Sequence, residues 1–136
     1  MHKARILLVD DDASDRADLA AAAEGQGDVE TASSRDEAIS KLDSGTFDLV
    51  VTDLRMDRDD TAGFQVLSAA KPGIPVIVIT RYPSQGRSRM AMEKGALDFL
   101  DRTASGVDPF VMLRHKIGQA LELSMARQRQ LIHASE

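Results

Sequence analysis

Acids, a hydroxyl and a guanidinium stand at the ends of four apolar runs in this chain. Ala4-Arg5-Ile6-Leu7-Leu8-Val9 leads into Asp10-Asp11-Asp12, and Phe47-Asp48-Leu49-Val50-Val51-Thr52 ends in Asp53. Pro75-Val76-Ile77-Val78-Ile79 ends in Thr80, and Arg102 lies just past Leu97-Asp98-Phe99-Leu100. Carboxylates brought together repel, and one of them protonates unless a cation intervenes. An all-oxygen donor set suits Mg²⁺, which keeps several waters and needs only one or two carboxylates. Such a cation also lets an anionic carboxylate attack a phosphoryl group, and a carboxylate is a covalent nucleophile for phosphate. Asp53 is therefore the candidate phosphoryl acceptor. Arg102 can pair with its oxygens as a fork, and the Thr80 hydroxyl can donate to them. Singly, each residue has an ordinary explanation, since acids favour helix N-termini and threonine is a common strand residue. Matching chemistry at four strand ends is harder to explain that way.

The elements that must hold these residues alternate. Short apolar strands over 4–9, 28–32, 47–53, 75–80 and 97–100 are separated by helical stretches. Ser14 is the expected cap of the first helix, which runs to about Glu24 and stops at Gly25 and Gly27. Ser34 with Glu37 forms a capping-box pattern for the second helix, with Ala38, Ile39 and Leu42 inward and Gly45 at its end. The third helix spans roughly 62–70 and packs through Phe64, Val66 and Leu67. The fourth runs from about Ser84 to Lys94, with Gly95 as its stop. Asp108-Pro109 opens the fifth. Five β-α repeats with short loops call for a parallel sheet with helices on both faces, an α/β doubly wound fold whose strand ends share one edge.

With 136 residues, 43% hydrophobic and 29% charged, the chain suits one ordinary globular domain. Its net charge of -5 argues against direct nucleic-acid binding. The absence of cysteine excludes disulfides and thiolate metal sites. No apolar run is long enough for a membrane span, so no membrane association and a cytoplasmic location are expected. An enzyme that turns over an aspartyl-phosphate usually carries a second acid two residues after the nucleophile, where this chain has Arg55. A flavin phosphate would be repelled by the acidic first turn. The expectation is not an enzyme, beyond self-catalysed phosphoryl transfer and loss.

The runs ending in Asp10-Asp11-Asp12, Asp53-Leu54-Arg55-Met56 and Thr80, with Gly95-Ala96-Leu97-Asp98-Phe99-Leu100, resemble in order and combination the receiver domain of bacterial two-component response regulators. The resemblance implies a five-stranded flavodoxin-like three-layer sandwich of strand order 2-1-3-4-5, the order of a known member of that family. It implies a receiver domain over 1–123, with 124–136 as an extension of helix five or a tail. By position, Asp53 is the phosphoacceptor, and Asp10, Asp11, Asp53 and the Arg55 carbonyl hold Mg²⁺. Thr80 and Phe99 are the switch pair. The phosphodonor would be a sensor histidine kinase or a histidine phosphotransfer protein. An output partner, still unnamed, or a homodimer would form through the fourth helix, fifth strand and fifth helix.

The departures from the family pattern are specific. Arg102-Thr103 stands where the family has Lys-Pro, and arginine is longer and planar. Asp57 replaces a proline after Met56, and the acidic loop before Gly63 is about two residues longer. Arg81 follows the switch threonine, where a small residue is usual. It could gate access to the acceptor or bind the phosphoryl oxygens itself. These changes leave an alternative, a pseudo-receiver that binds partners without phosphorylation. The acids of the loop, Asp57, Asp59 and Asp60, could hold a second cation, although a solvated loop is the commoner outcome. Helix five carries a stripe of Phe110, Leu113, Ile117, Ala120 and Leu121. If helical to Ile132 it would be roughly 36 Å long, either a signalling extension or a frayed tail.

Overall fold

The computed structural model describes residues 3–134, Lys71 excepted. Ten elements alternate: β1 Arg5–Val9, α1 Ala13–Ala23, β2 Asp28–Ala32, α2 Arg35–Ser44, β3 Leu49–Thr52, α3 Ala62–Ala69, β4 Val76–Thr80, α4 Gln85–Glu93, β5 Asp98–Asp101 and α5 Pro109–Ala134. The five strands form one sheet of order β2-β1-β3-β4-β5, every pair parallel. This is the expected doubly wound flavodoxin-like sandwich.

Period-two alternation divides the core into two layers. Leu7, Val9, Val50, Val76 and Val78 face one side and pack with Leu42, Phe64, Val66 and Leu67 from α2 and α3. Ile6, Leu8, Leu49, Val51, Ile77 and Ile79 face the other and pack with Leu19 of α1 and Leu113, Ile117 and Ala120 of α5. The inner strands are buried along their whole length, which is why they read as unbroken apolar runs.

Several boundaries differ from the sequence reading. Asp12, not Ser14, caps α1, because its side chain accepts from the Asp15 amide and the helix begins at Ala13. Ser34 does cap α2, accepting from the Glu37 amide at 3.1 Å. The Glu37 carboxylate reaches Ser33, at its amide and hydroxyl, rather than closing the box on Ser34. β3 begins at Leu49 because Asp48 is engaged beside it, its carboxylate accepting the Arg5 amide at 2.8 Å. β5 is shifted one residue onward, to Asp98–Asp101. The fifth helix runs to Ala134, about 39 Å for 26 residues. The terminal residues 1–2 and 135–136 of the expected units lie outside the described residues.

Candidate functional site

Register brings the chemistry to one edge. Val9 pairs with Thr52, so Asp10 and Asp53 follow neighbouring strand ends, and the Asp53 amide donates to the Val9 carbonyl at 3.1 Å. On the other side, Thr80 pairs with Asp101, and the Arg102 amide donates to the Thr80 carbonyl at 2.8 Å. The edge lies at the carboxyl ends of the strands, beside the β1/β3 switch point, where doubly wound sheets bind ligands.

Asp53 is only 5% exposed, and its carboxylate accepts the Leu54 amide at 2.7 Å. Burial, reinforced by the nearby charge of Asp10, pushes its carboxyl up to about 6. Asp10 is fully buried. Burial raises it too, against the pull of the Asp12 amide and Arg102. The Asp10 oxygens accept from the Asp12 amide at 3.0 Å and from Arg102 Nη1 at 3.2 Å. Asp11 is exposed, and its carboxylate accepts the Asp57 amide at 2.9 Å.

That last contact explains the altered loop. Asp57 and Arg58 both have positive φ, 52° and 63°, while Met56 and Asp59 exchange backbone hydrogen bonds across them at 3.2 and 2.9 Å. Positive φ at both central positions is the requirement of a type I′ turn. Proline, fixed near -65°, cannot stand at 57. The turn aims the Asp57 amide at Asp11 and leaves Asp59 and Asp60 to other partners. Asp59 accepts from Thr61 and Arg35, and Asp60 pairs with Arg55 at 3.5 Å and Arg87 at 3.6 Å. The carboxylates of Asp59 and Asp60 are thus tied to protein donors.

The guanidinium of Arg102 is almost wholly enclosed. Nη1 lies 3.2 Å from Asp10 and 3.3 Å from Asp15, and the group stacks over Phe110 at 5.0 Å. Its Nη2 is buried with no hydrogen-bond partner. Thr103, where the family has proline, donates its amide to Asp101 at 2.7 Å, a bond proline could not make. Arg81 does not lie free over the acceptor. Its Nη2 and Nε donate to the two oxygens of Asp15 at 2.7 and 3.2 Å. This pairing holds the Asp15 carboxyl below its usual range.

Thr80 is fully buried, and its hydroxyl accepts the Tyr82 amide at 3.1 Å. Phe99 pairs with Val78 across β4 and β5. Val78 and Thr80 share a face, so Thr80 and Phe99 are diagonal neighbours on one side of the sheet. Phe99 is half-buried there against the α2/α3 layer. The residue that sequence reasoning missed is Asp15. An acid in a first helical turn is commonplace, and nothing local points to arginines 66 and 87 positions away.

An open cleft of about 410 Å³ is lined by Asp11, Asp15, Asp53, Arg55 and Arg81, among others. Among the described residues, no group of three or more acidic, histidine or cysteine side chains is arranged as a metal cluster. The donor set nevertheless fits one hard cation that keeps waters: few carboxylates, one of them a buried acid pushed up by its burial and then by the charge of Asp10.

Fold and edge together define a doubly wound α/β domain with an acidic crevice at its switch point. The chain belongs to the response regulator receiver domain family, whose profile matches residues 6–108. It is 39% identical over 97 residues to the transcriptional regulatory protein ZraR of Escherichia coli, covering 70% of this chain and 22% of that one. It is 31% identical over 149 residues to protein-glutamate methylesterase/protein-glutamine glutaminase 3 of Geobacter sulfurreducens, covering 99% and 40%. The chain thus spans well under half the length of these relatives. A solved response regulator receiver domain protein (CheY-like) from Methanospirillum hungatei superposes with a TM-score of 0.78 at 28% identity, covering 93% of this chain and 99% of that one. The expected family, fold and receiver role hold. No described helix is long and apolar enough to cross a membrane.

Proposed function

We propose that Asp53 accepts a phosphoryl group from a phosphohistidine on a sensor kinase or phosphotransfer protein. One observation carries this: a carboxylate is buried at the end of the central strand, raised to about 6 and beside a second buried acid. A polar group so placed is disfavoured without a use. An Asp53 oxygen attacks phosphorus, the N–P bond of the donor breaks, and the departing imidazole nitrogen keeps the electron pair. Asp10, Asp11, Asp53 and the Arg55 carbonyl would hold Mg²⁺, which when bound draws charge from the phosphoryl oxygens. Arg102, with its unpartnered Nη2, takes a phosphoryl oxygen. The Thr80 hydroxyl leaves the Tyr82 amide to do the same, and Phe99 follows it.

The change would be read on the face of α4, β5 and α5, which exposes Met90, Met92, Leu97, Val111 and Met112. Docking of an output partner, or of a second copy, occurs there in this reading. The working compartment is the cytoplasm. The Arg102–Asp10 pair supports a second reading, a pseudo-receiver, because protein donors already satisfy the acid that would otherwise need a cation.

Intact mass after incubation with acetyl phosphate, with and without Mg²⁺, tests the first reading. One phosphoryl group, Mg²⁺-dependent and absent in Asp53→Asn, supports it. Failure with acetyl phosphate and with phosphohistidine donors leaves the pseudo-receiver.

A further inference from the structure

Asp15 has no part in the transfer just described, yet it is the best-connected carboxylate in the cleft. Two guanidinium groups converge on it. Arg81 grips both oxygens, at 2.7 and 3.2 Å, and Arg102 Nη1 lies 3.3 Å from one of them. The Asp15 side chain is 11% exposed and that of Arg81 51%, so the arginine is the partner with room to move. Asp15, Arg81 and Asp53 line the same cleft. Beneath it, Arg102 Nη2 is a buried donor with no acceptor.

We infer that Asp15 is a resting-state substitute for the phosphoryl group, holding Arg81 by the fork that Arg81 turns onto the oxygens of phosphorylated Asp53. The inference rests on Asp53 being the acceptor. A guanidinium fork fits carboxylate and phosphate equally well in shape. A phosphoryl group offers three oxygens and more charge than one carboxylate, so it wins Arg81 once it arrives. Arg81 then covers the phosphoryl group and hinders hydrolysis. In that loss a water oxygen attacks phosphorus and the P–O bond to Asp53 breaks. The electron pair returns to the carboxylate, and inorganic phosphate leaves with both protons of the water, free to pass one to solvent. Asp15 is a positioning residue, competing for Arg81 and so shortening the life of the phosphorylated state. The plainer account makes Asp15–Arg81 a tether between α1 and the loop before α4. Such a partly exposed pair is worth little and would leave the rate of phosphate loss unmoved.

The test follows label and decay by intact mass on the full chain, with acetyl phosphate and Mg²⁺, then after donor removal. The chains are the parent, Arg81→Ala, Arg81→Lys, Asp15→Asn and the double variant Asp15→Asn/Arg81→Ala, each checked for folding by circular dichroism. Arg81→Ala should lose phosphate several-fold faster than the parent, and Arg81→Lys should fall between them. Asp15→Asn should lose it more slowly while Arg81 is present, with no slowing in the double variant. Label on Asp15→Asn but not on the parent also supports the inference. Equal decay of Arg81→Ala and parent overturns it, as does an Asp15→Asn effect that is the same with and without Arg81. Absence of label on every chain, with acetyl phosphate and with phosphohistidine donors alike, overturns the phosphoacceptor reading, and this inference with it.

Discussion

Arg102 donates to Asp10 at 3.2 Å with both side chains shut away from solvent, 3% and 0% exposed. A buried pair contributes little net stability, but removing one partner leaves a bare charge inside. Arg102→Met should destabilise the chain by about 3–5 kcal/mol in urea unfolding. Arg102→Lys keeps the charge and loses the fork and the stacking on Phe110, so it should fall well short of that loss. Equal losses in the two variants would mean that packing, not charge, holds Asp10.

Asp53 makes stability depend on pH. Its carboxyl sits at about 6 instead of 3.8, so the folded chain binds this proton more tightly than the unfolded chain. Stability should therefore fall as pH rises from about 4 to about 6, by at most ~3 kcal/mol, and stay lower above. In metal-free buffer, Asp53→Asn should melt above the parent at pH 7.5, and the gap should close towards pH 4. A gap independent of pH would contradict the burial argument. Because only the anion attacks phosphorus, labelling with Mg²⁺ present should weaken as the pH falls and Asp53 protonates.

Gly63 touches the acceptor from behind. A Cβ there would stand 2.3 Å from the Asp53 carbonyl oxygen and 2.6 Å from the Leu54 Cα. Gly63→Ala must push α3 off the end of β3, at a cost of about 1–3 kcal/mol, and should slow labelling of Asp53. Gly86 of α4 is the control, since the nearest atom to its Cβ is the Ser84 hydroxyl at 4.0 Å. Gly86→Ala should raise stability by up to ~1 kcal/mol. Thermal melts of the pair should shift in opposite directions.

The last turns of α5 should be dispensable to the fold. Leu121 and Ser124 are buried, whereas Arg129 and Gln130 are exposed. A chain stopped after Arg127 should unfold within about 0.5 kcal/mol of the parent. Sedimentation at matched concentrations then reports whether those turns act between copies. A large loss of stability would mean that the end of the helix folds back onto the domain.

Much of this was legible beforehand, and the reasons are local. β1, β3 and β4 are buried on both faces, so each reads as an unbroken apolar run ending in its functional residue. Register then had only one edge on which to gather Asp10, Asp53, Thr80 and Arg102. The α1 cap was misread because three consecutive acids precede Ser14, and only geometry selects Asp12. The I′ turn was hidden because Asp57-Arg58 contains no glycine. The Asp15–Arg81 and Asp10–Arg102 pairs join residues 66 and 92 positions apart, and no periodicity encodes such pairings.

The length of α5 has a mechanical side. Its first turn carries Phe110 beneath Arg102, 5.0 Å from the ring centre, and its middle is pinned to the sheet through Leu113, Ile117 and Leu121. Beyond Ser124, which is still buried, the helix is an arm of about 15 Å reaching Ala134. A tilt of about 5° sweeps the tip of that arm by roughly 1 Å. One continuous rod thus joins the guanidinium at its first turn to an end far from the acidic crevice.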